Sequence, residues 1–144
     1  MKVLFMCTAN SCRSILSEAM FNHLAPPGFE AVSSGSFPKG RVLPRSLSTL
    51  QDAGIATAGL YSKGNEAFEG APPDIVITVC DKAAGEACPW WPGQPMTAHW
   101  GLPDPAAVQG SPAQQQKAFL DTFVALKRRI ELMLALPLQR LDAL

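Results

Sequence analysis

The chain has 144 residues, long enough for one domain with its own core and without help from disulfides or a structural metal. Twelve basic and twelve acidic side chains cancel, and 47% hydrophobic against 17% charged residues is an ordinary globular balance. That excludes a disordered chain and a broad cationic surface for nucleic acid or membrane, while "IELMLALPL" from Ile130 is too short and too interrupted to span a bilayer.

The apolar run "KVLFMC" (2–7) predicts a strand buried on both faces. It runs into "TANSCRS" without a secretory signal pattern, so a cytoplasmic, reducing location is expected. After Arg13, "SILSEAMFNHL" puts Ile15, Leu16, Ala19, Met20 and Leu24 on one helical stripe. Ser17, Glu18 and Asn22 fall opposite, and Pro26-Pro27-Gly28 stops the helix. "FEAVSSGS" reads as a second strand opening into a loop. In "LPRSLSTLQDAGI", Leu43, Leu47 and Leu50 have helical spacing and Gly54 suits a left-handed cap.

"DIVITVC" (74–80) predicts another buried strand that also ends in cysteine, and "MTAHWGL" (96–102) a fourth. Between them "DKAAGEA" is a short helix-compatible stretch interrupted by Gly85, suited to a mobile element. Ser111-Pro112 offers an N-cap and first-turn proline for a last helix carrying Phe119, Leu120, Phe123, Val124, Leu126, Ile130 and Met133. Strands alternating with helices predict an α/β fold: one domain over residues 1–144, a four-stranded, mostly parallel sheet flanked by helices. Such sheets bind ligands beyond the carboxyl ends of their strands, where Cys7, Cys80 and "PDP" fall.

In "CTANSCRS" a thiol closes a strand and a loop of small residues feeds a helix. Oriented N–H groups at a helix start, together with Arg13, favour the thiolate of Cys7 and can also bind a tetrahedral oxyanion. Thr8, Ala9, Asn10, Ser11 and Cys12 are small enough for their amides to form an anion nest. Arg13 adds a planar bidentate donor, and Ser14 could donate to the Cys7 thiolate. The plainer alternative is a buried strand cysteine beside a solvated arginine.

"CTANSCRS" with "SEAM" and "GLPDP" resembles the low-molecular-weight protein-tyrosine-phosphatase fold. "NSCRS", "TVCD…CP" and "HWGLPDP" are similar to the arsenate reductases built on it, including thioredoxin-coupled ones. The resemblance runs from about Val3 to the final helix. It implies that Cys7 is the nucleophile, that residues 8–14 hold arsenate, phosphate or sulfate, and that Asp104 is the general acid, beside the simpler reading of Asp104 as a turn residue before Pro105.

It further implies a relay: Cys7 attacks arsenate, Cys80 attacks Cys7 to release arsenite, and Cys88 takes over the disulfide. A thioredoxin or glutaredoxin-type partner, or mycothiol, would restore the thiols. No bound cofactor is expected. Some family members hold a structural potassium ion, and the matching residues would be Asn10, Glu18 and Ser33, with the completing acid replaced near Lys63, whose ammonium could substitute for the ion.

Cys12 reads as a bystander that contributes only its amide. The cysteine spacings of 4, 67 and 7 intervening residues lack a metal knuckle, so no metal site is expected from them. His23 and His99 read as structural, and a monomer is expected. The rival functions are a protein-tyrosine or small-molecule phosphatase using Cys7, Arg13 and Asp104, and an oxyanion-binding regulator without turnover.

Overall fold

The computed structural model describes residues 1–68, 70–79 and 96–136. Four strands form one sheet in the order β2-β1-β3-β4: β1 is Lys2–Cys7, β2 Glu30–Gly35, β3 Ile75–Thr78 and β4 Met96–His99. Every pairing is parallel, so the expected mostly parallel sheet is, among the described residues, wholly so. Cys7 pairs with Gly35, Met6 with Thr78, and Thr78 with His99, which brings all four carboxyl ends to one edge.

Alternation along β1 sorts the core into two faces, as the two-residue period of a strand requires. Val3, Phe5 and Cys7 join the larger cluster with Leu16, Met20, Phe21, Leu126 and Ile130. Leu4 and Met6 point the other way, toward Val76, Val32 and Phe68. The Phe5 ring meets Phe21 edge-on at 6.0 Å between centroids and lies 5.9 Å from Trp100. A central strand buried on both sides is a stiff base for whatever its end carries.

The first helix, α1, runs Arg13–Leu24, and α2 runs Pro44–Asp52. Leu43 precedes α2 as its cap, and Gly54 takes φ +75°, the left-handed conformation its position predicts. The long α3, Pro112–Leu134, opens with a full capping box: Ser111 Oγ accepts from Gln114 N at 3.2 Å, and Gln114 Oε1 accepts from Ser111 N at 2.8 Å.

Three sequence expectations change. Ser17 is fully buried, because the first turns of α1 are enclosed on all sides and its hydroxyl donates back to Arg13 O at 2.8 Å. Leu120 and Val124 are half exposed, since the buried stripe of α3 is Phe119, Phe123, Leu126, Ile130 and Met133. The fourth strand stops at His99, so "WGL" belongs to the following loop.

The stripe sets a test. Leu126→Ala should cost about 2–5 kcal/mol in denaturant unfolding, the range for emptying a packed site. Val124→Ala on the adjacent face should cost under about 1 kcal/mol. Equal losses would contradict this burial pattern.

Candidate active site

The loop between β1 and α1 is shaped by where its carbonyls go. Cys7 O accepts from Ser36 N at 3.2 Å, and Thr8 O from Phe37 N at 2.9 Å. Ala9 O accepts from Lys39 N at 3.0 Å and Ser62 Oγ at 3.1 Å. Ser11 O accepts from Leu43 N and Ser46 Oγ, both at 3.0 Å. In a trans peptide the N–H points opposite to the preceding C=O. Four carbonyls tied outward therefore turn the amides of Thr8, Ala9, Asn10 and Cys12 into the hollow of the loop. The N-terminus of α1 has no side-chain cap, so its dipole adds positive potential there.

Asn10 is fully buried at φ +50°, a left-handed conformation that costs a non-glycine residue energy unless its side chain is held. It is held at both ends. Nδ2 donates to Ser14 Oγ at 2.9 Å and Ser33 Oγ at 3.0 Å, and Oδ1 accepts from Lys63 N at 2.8 Å. Ser14 thus accepts from Asn10 and keeps its hydroxyl proton for the expected bond to Cys7. Gly35 lets β2 approach, because a Cβ there would lie 2.5 Å from Thr8 O and 2.9 Å from Asn10 N.

Arg13 stands at the mouth. One terminal nitrogen donates to Leu102 O at 2.8 Å, and the other lies 3.8 Å from Asp104 Oδ2. Its Nε is buried with no hydrogen-bond partner among the described residues. A buried, charged donor left unmade is costly, and an oxyanion in the loop is the natural acceptor. Asp104 takes the turn reading, since Oδ1 accepts from Ala106 N at 2.9 Å to start the short 3-10 helix Pro105–Ala107, and its Oδ2 lies beside Arg13.

Cys7 and Cys12 are both buried, at 3% and 4% exposure, yet differ in setting. Burial pushes the Cys12 thiol up to about 12, only partly opposed by a hydrogen bond with Ser46. Cys12 is thus a neutral thiol at physiological pH. His99 Nδ1 lies 2.7 Å from Thr78 Oγ1, in keeping with a structural role.

Behind the loop, Lys63 Nζ lies 3.5 Å from Glu18 Oε1, 3.4 Å from Ser33 Oγ and 2.9 Å from Tyr61 O. Burial lowers its pKa from the ordinary lysine value, and Glu18 opposes the shift. The structure therefore gathers Asn10, Glu18, Ser33 and Lys63 as the resemblance implies. Reasoning on the sequence missed Gly35, Ser46, Ser62 and Leu102, whose role is to fix the backbone of the loop or of Arg13; none has a spacing signal that could reveal it. Cys80, Cys88, the "DKAAGEA" stretch, Trp90 and Trp91 lie outside the described residues.

Residues 2–142 match the low molecular weight phosphotyrosine protein phosphatase family. The chain belongs to that family. An arsenate reductase from Shouchella clausii is 30% identical over 117 residues, 81% of this chain and 83% of that protein. A glutaredoxin arsenate reductase from Synechocystis is 31% identical over 134 residues, covering 93% and 96% of the two chains. A solved arsenate reductase in the phosphate binding state superposes with a TM-score of 0.75 at 28% identity, covering 93% of this chain and 96% of its own. No helix among the described residues is long and apolar enough to cross a membrane.

Two outcomes follow from this geometry. Gly35→Ala should fold with a loss of about 1–3 kcal/mol and bind phosphate poorly, because the new methyl displaces the loop backbone. Unchanged phosphate affinity by calorimetry would contradict the close approach. For Cys12, a pKa of about 12 leaves about one thiolate in 10⁴ at pH 8, against roughly one in four for a free thiol. Alkylation mapped by mass spectrometry should therefore spare Cys12 in the folded protein until the pH climbs well above 9, and Cys12→Ala should keep its turnover.

Proposed function

We propose that the chain reduces arsenate to arsenite, with Cys7 as nucleophile. The observation that carries this reading is the buried Nε of Arg13, left without a hydrogen-bond partner among the described residues, at the end of a loop whose carbonyls are taken by donors from the segment after β2. Its curated relatives named arsenate reductase support arsenate as the oxyanion.

In the first step the Cys7 thiolate forms a bond to arsenic and an oxygen leaves as water, its proton supplied by Asp104 or by solvent. In the second, the Cys80 thiolate attacks Cys7 Sγ. The S–S bond forms as the As–S bond breaks, and its electron pair stays on arsenic, which passes from As(V) to As(III). Cys88 then exchanges onto Cys80, leaving a Cys80–Cys88 disulfide and returning Cys7 as its thiolate. An external dithiol of the thioredoxin or glutaredoxin type supplies the two electrons that close the cycle.

The chain's approach to position 80 suits this sequence. Val79, fully buried, donates its N–H to Met6 O at 2.9 Å, so the end of β3 runs beside the residue preceding Cys7. Phosphate-ester hydrolysis, the rival reading, needs Cys7, Arg13 and Asp104 but has no use for Cys80 or Cys88.

Wild type and Cys80→Ser, each given arsenate, thioredoxin, thioredoxin reductase and NADPH, separate the two. Wild type should consume NADPH continuously, and Cys80→Ser should fall to background; a parallel glutaredoxin–glutathione arm identifies the reductant. Equal rates for both proteins would remove the relay. Brisk ester hydrolysis without arsenate-driven NADPH loss in either arm would make the protein a phosphatase.

A further inference from the structure

The potassium ion implied by the resemblance does not fit the residues present. The oxygens that would hold it, Glu18 Oε1 and Ser33 Oγ, already face the Lys63 ammonium at 3.5 and 3.4 Å. The Tyr61 carbonyl takes another of its protons at 2.9 Å, and the Tyr61 ring lies 4.4 Å from the charge. The Lys63 and Glu18 side chains are only 8% and 12% exposed, so the pair is largely withdrawn from water. A second cation here would crowd an ammonium in a setting that screens charge poorly.

The same residue reaches the oxyanion loop by two routes. Its backbone N–H donates to Asn10 Oδ1 at 2.8 Å. Its ammonium meets Ser33 Oγ, which accepts from Asn10 Nδ2 at 3.0 Å and donates to Glu18 at 2.6 Å. Asn10 is the loop residue held at φ +50°. The ammonium adds a donor to Ser33 Oγ and Tyr61 O and supplies the positive charge that faces Glu18 in this cluster.

We propose that Lys63 is a built-in cation of this chain: a positioning residue that holds Asn10, and through it the oxyanion loop, in binding shape without an alkali metal ion. The inference deepens the oxyanion-loop reading and rests on it. Removing the ammonium leaves the largely buried Glu18 without its counter-charge and takes one donor from Ser33, which holds Asn10, so the loss should appear in oxyanion affinity as well as in stability.

The test uses the full reduced chain, with inorganic phosphate binding by calorimetry and thermal melting, in potassium chloride and in choline chloride at equal ionic strength. Wild type should show the same affinity and the same Tm in both salts. Lys63→Met should bind phosphate about tenfold or more weakly in both, the scale expected for losing a hydrogen bond to a charged group. Lys63→Asp, which puts a second carboxylate beside Glu18, should gain affinity and Tm in potassium alone. A wild type that binds or melts better in potassium overturns the proposal, as does a folded Lys63→Met that binds like wild type. Should Lys63→Met not fold, the salt comparison on wild type still decides. Should wild type bind no phosphate in either salt, the oxyanion reading itself fails, while the two melting curves still decide the cation.

Discussion

An anion cradle made of backbone requires that the opposite side of every peptide plane be satisfied elsewhere. Most of this structure around residues 7–13 answers that requirement. The carbonyls of Cys7, Thr8, Ala9 and Ser11 are each taken by a donor from the segment after β2, with Ser62 adding to Ala9. Without those donors the loop could turn its carbonyls inward, and the hollow would repel an oxyanion. The dependence explains why Gly35 sits where it does. It lets the end of β2 lie against the loop, so that Ser36 and Phe37 arrive within reach of the first two carbonyls.

Charge is organised around the same loop in two layers. On the open side, the uncapped start of α1 and Arg13 concentrate positive potential, with Asp104 at 3.8 Å partly balancing it. On the closed side, Lys63 and Glu18 neutralise one another behind Asn10. A chain of zero formal charge can thus concentrate positive potential at one loop without a basic surface. The layering also separates two cysteines five positions apart. Cys7 ends the strand at the loop's hollow, whereas Cys12 is turned into the packing with Ser46 and held as a thiol.

How legible all this is in the sequence depends on whether the relevant contacts are local. β1, α1 and α3 follow from their periodicities, and Cys7 and Arg13 from a contiguous motif between a strand and a helix. Ser17 and Val124 are misplaced by the same reasoning, because a helix enclosed on every side, or one whose buried stripe is narrow, does not advertise it in amphipathic spacing. The outward anchors of the loop come from residues 35–46 and 62, beyond the reach of any local pattern. Lys63 is reachable only through the resemblance, as a replaced ligand; its contacts with Glu18, Ser33 and Asn10 are tertiary, and only the one to Tyr61 is local.

The cradle reads shape and charge, and arsenate and phosphate offer it nearly the same of both. The choice of chemistry must therefore lie after the first covalent step. A phosphorus(V) thiol adduct is resolved by water, because phosphorus does not readily accept an electron pair; an arsenic(V) adduct can accept one when a second thiol attacks its sulfur. What distinguishes a reductase from a phosphatase on this fold is thus a thiol able to reach Cys7 Sγ from outside the loop. β3 is suited to supply it, because it is the strand hydrogen-bonded alongside β1 and Val79 is still paired to Met6 at its end. The cysteine that follows at position 80 would be of no use on β2, whose end is occupied in anchoring the loop's carbonyls, nor on β4, one strand further from Cys7.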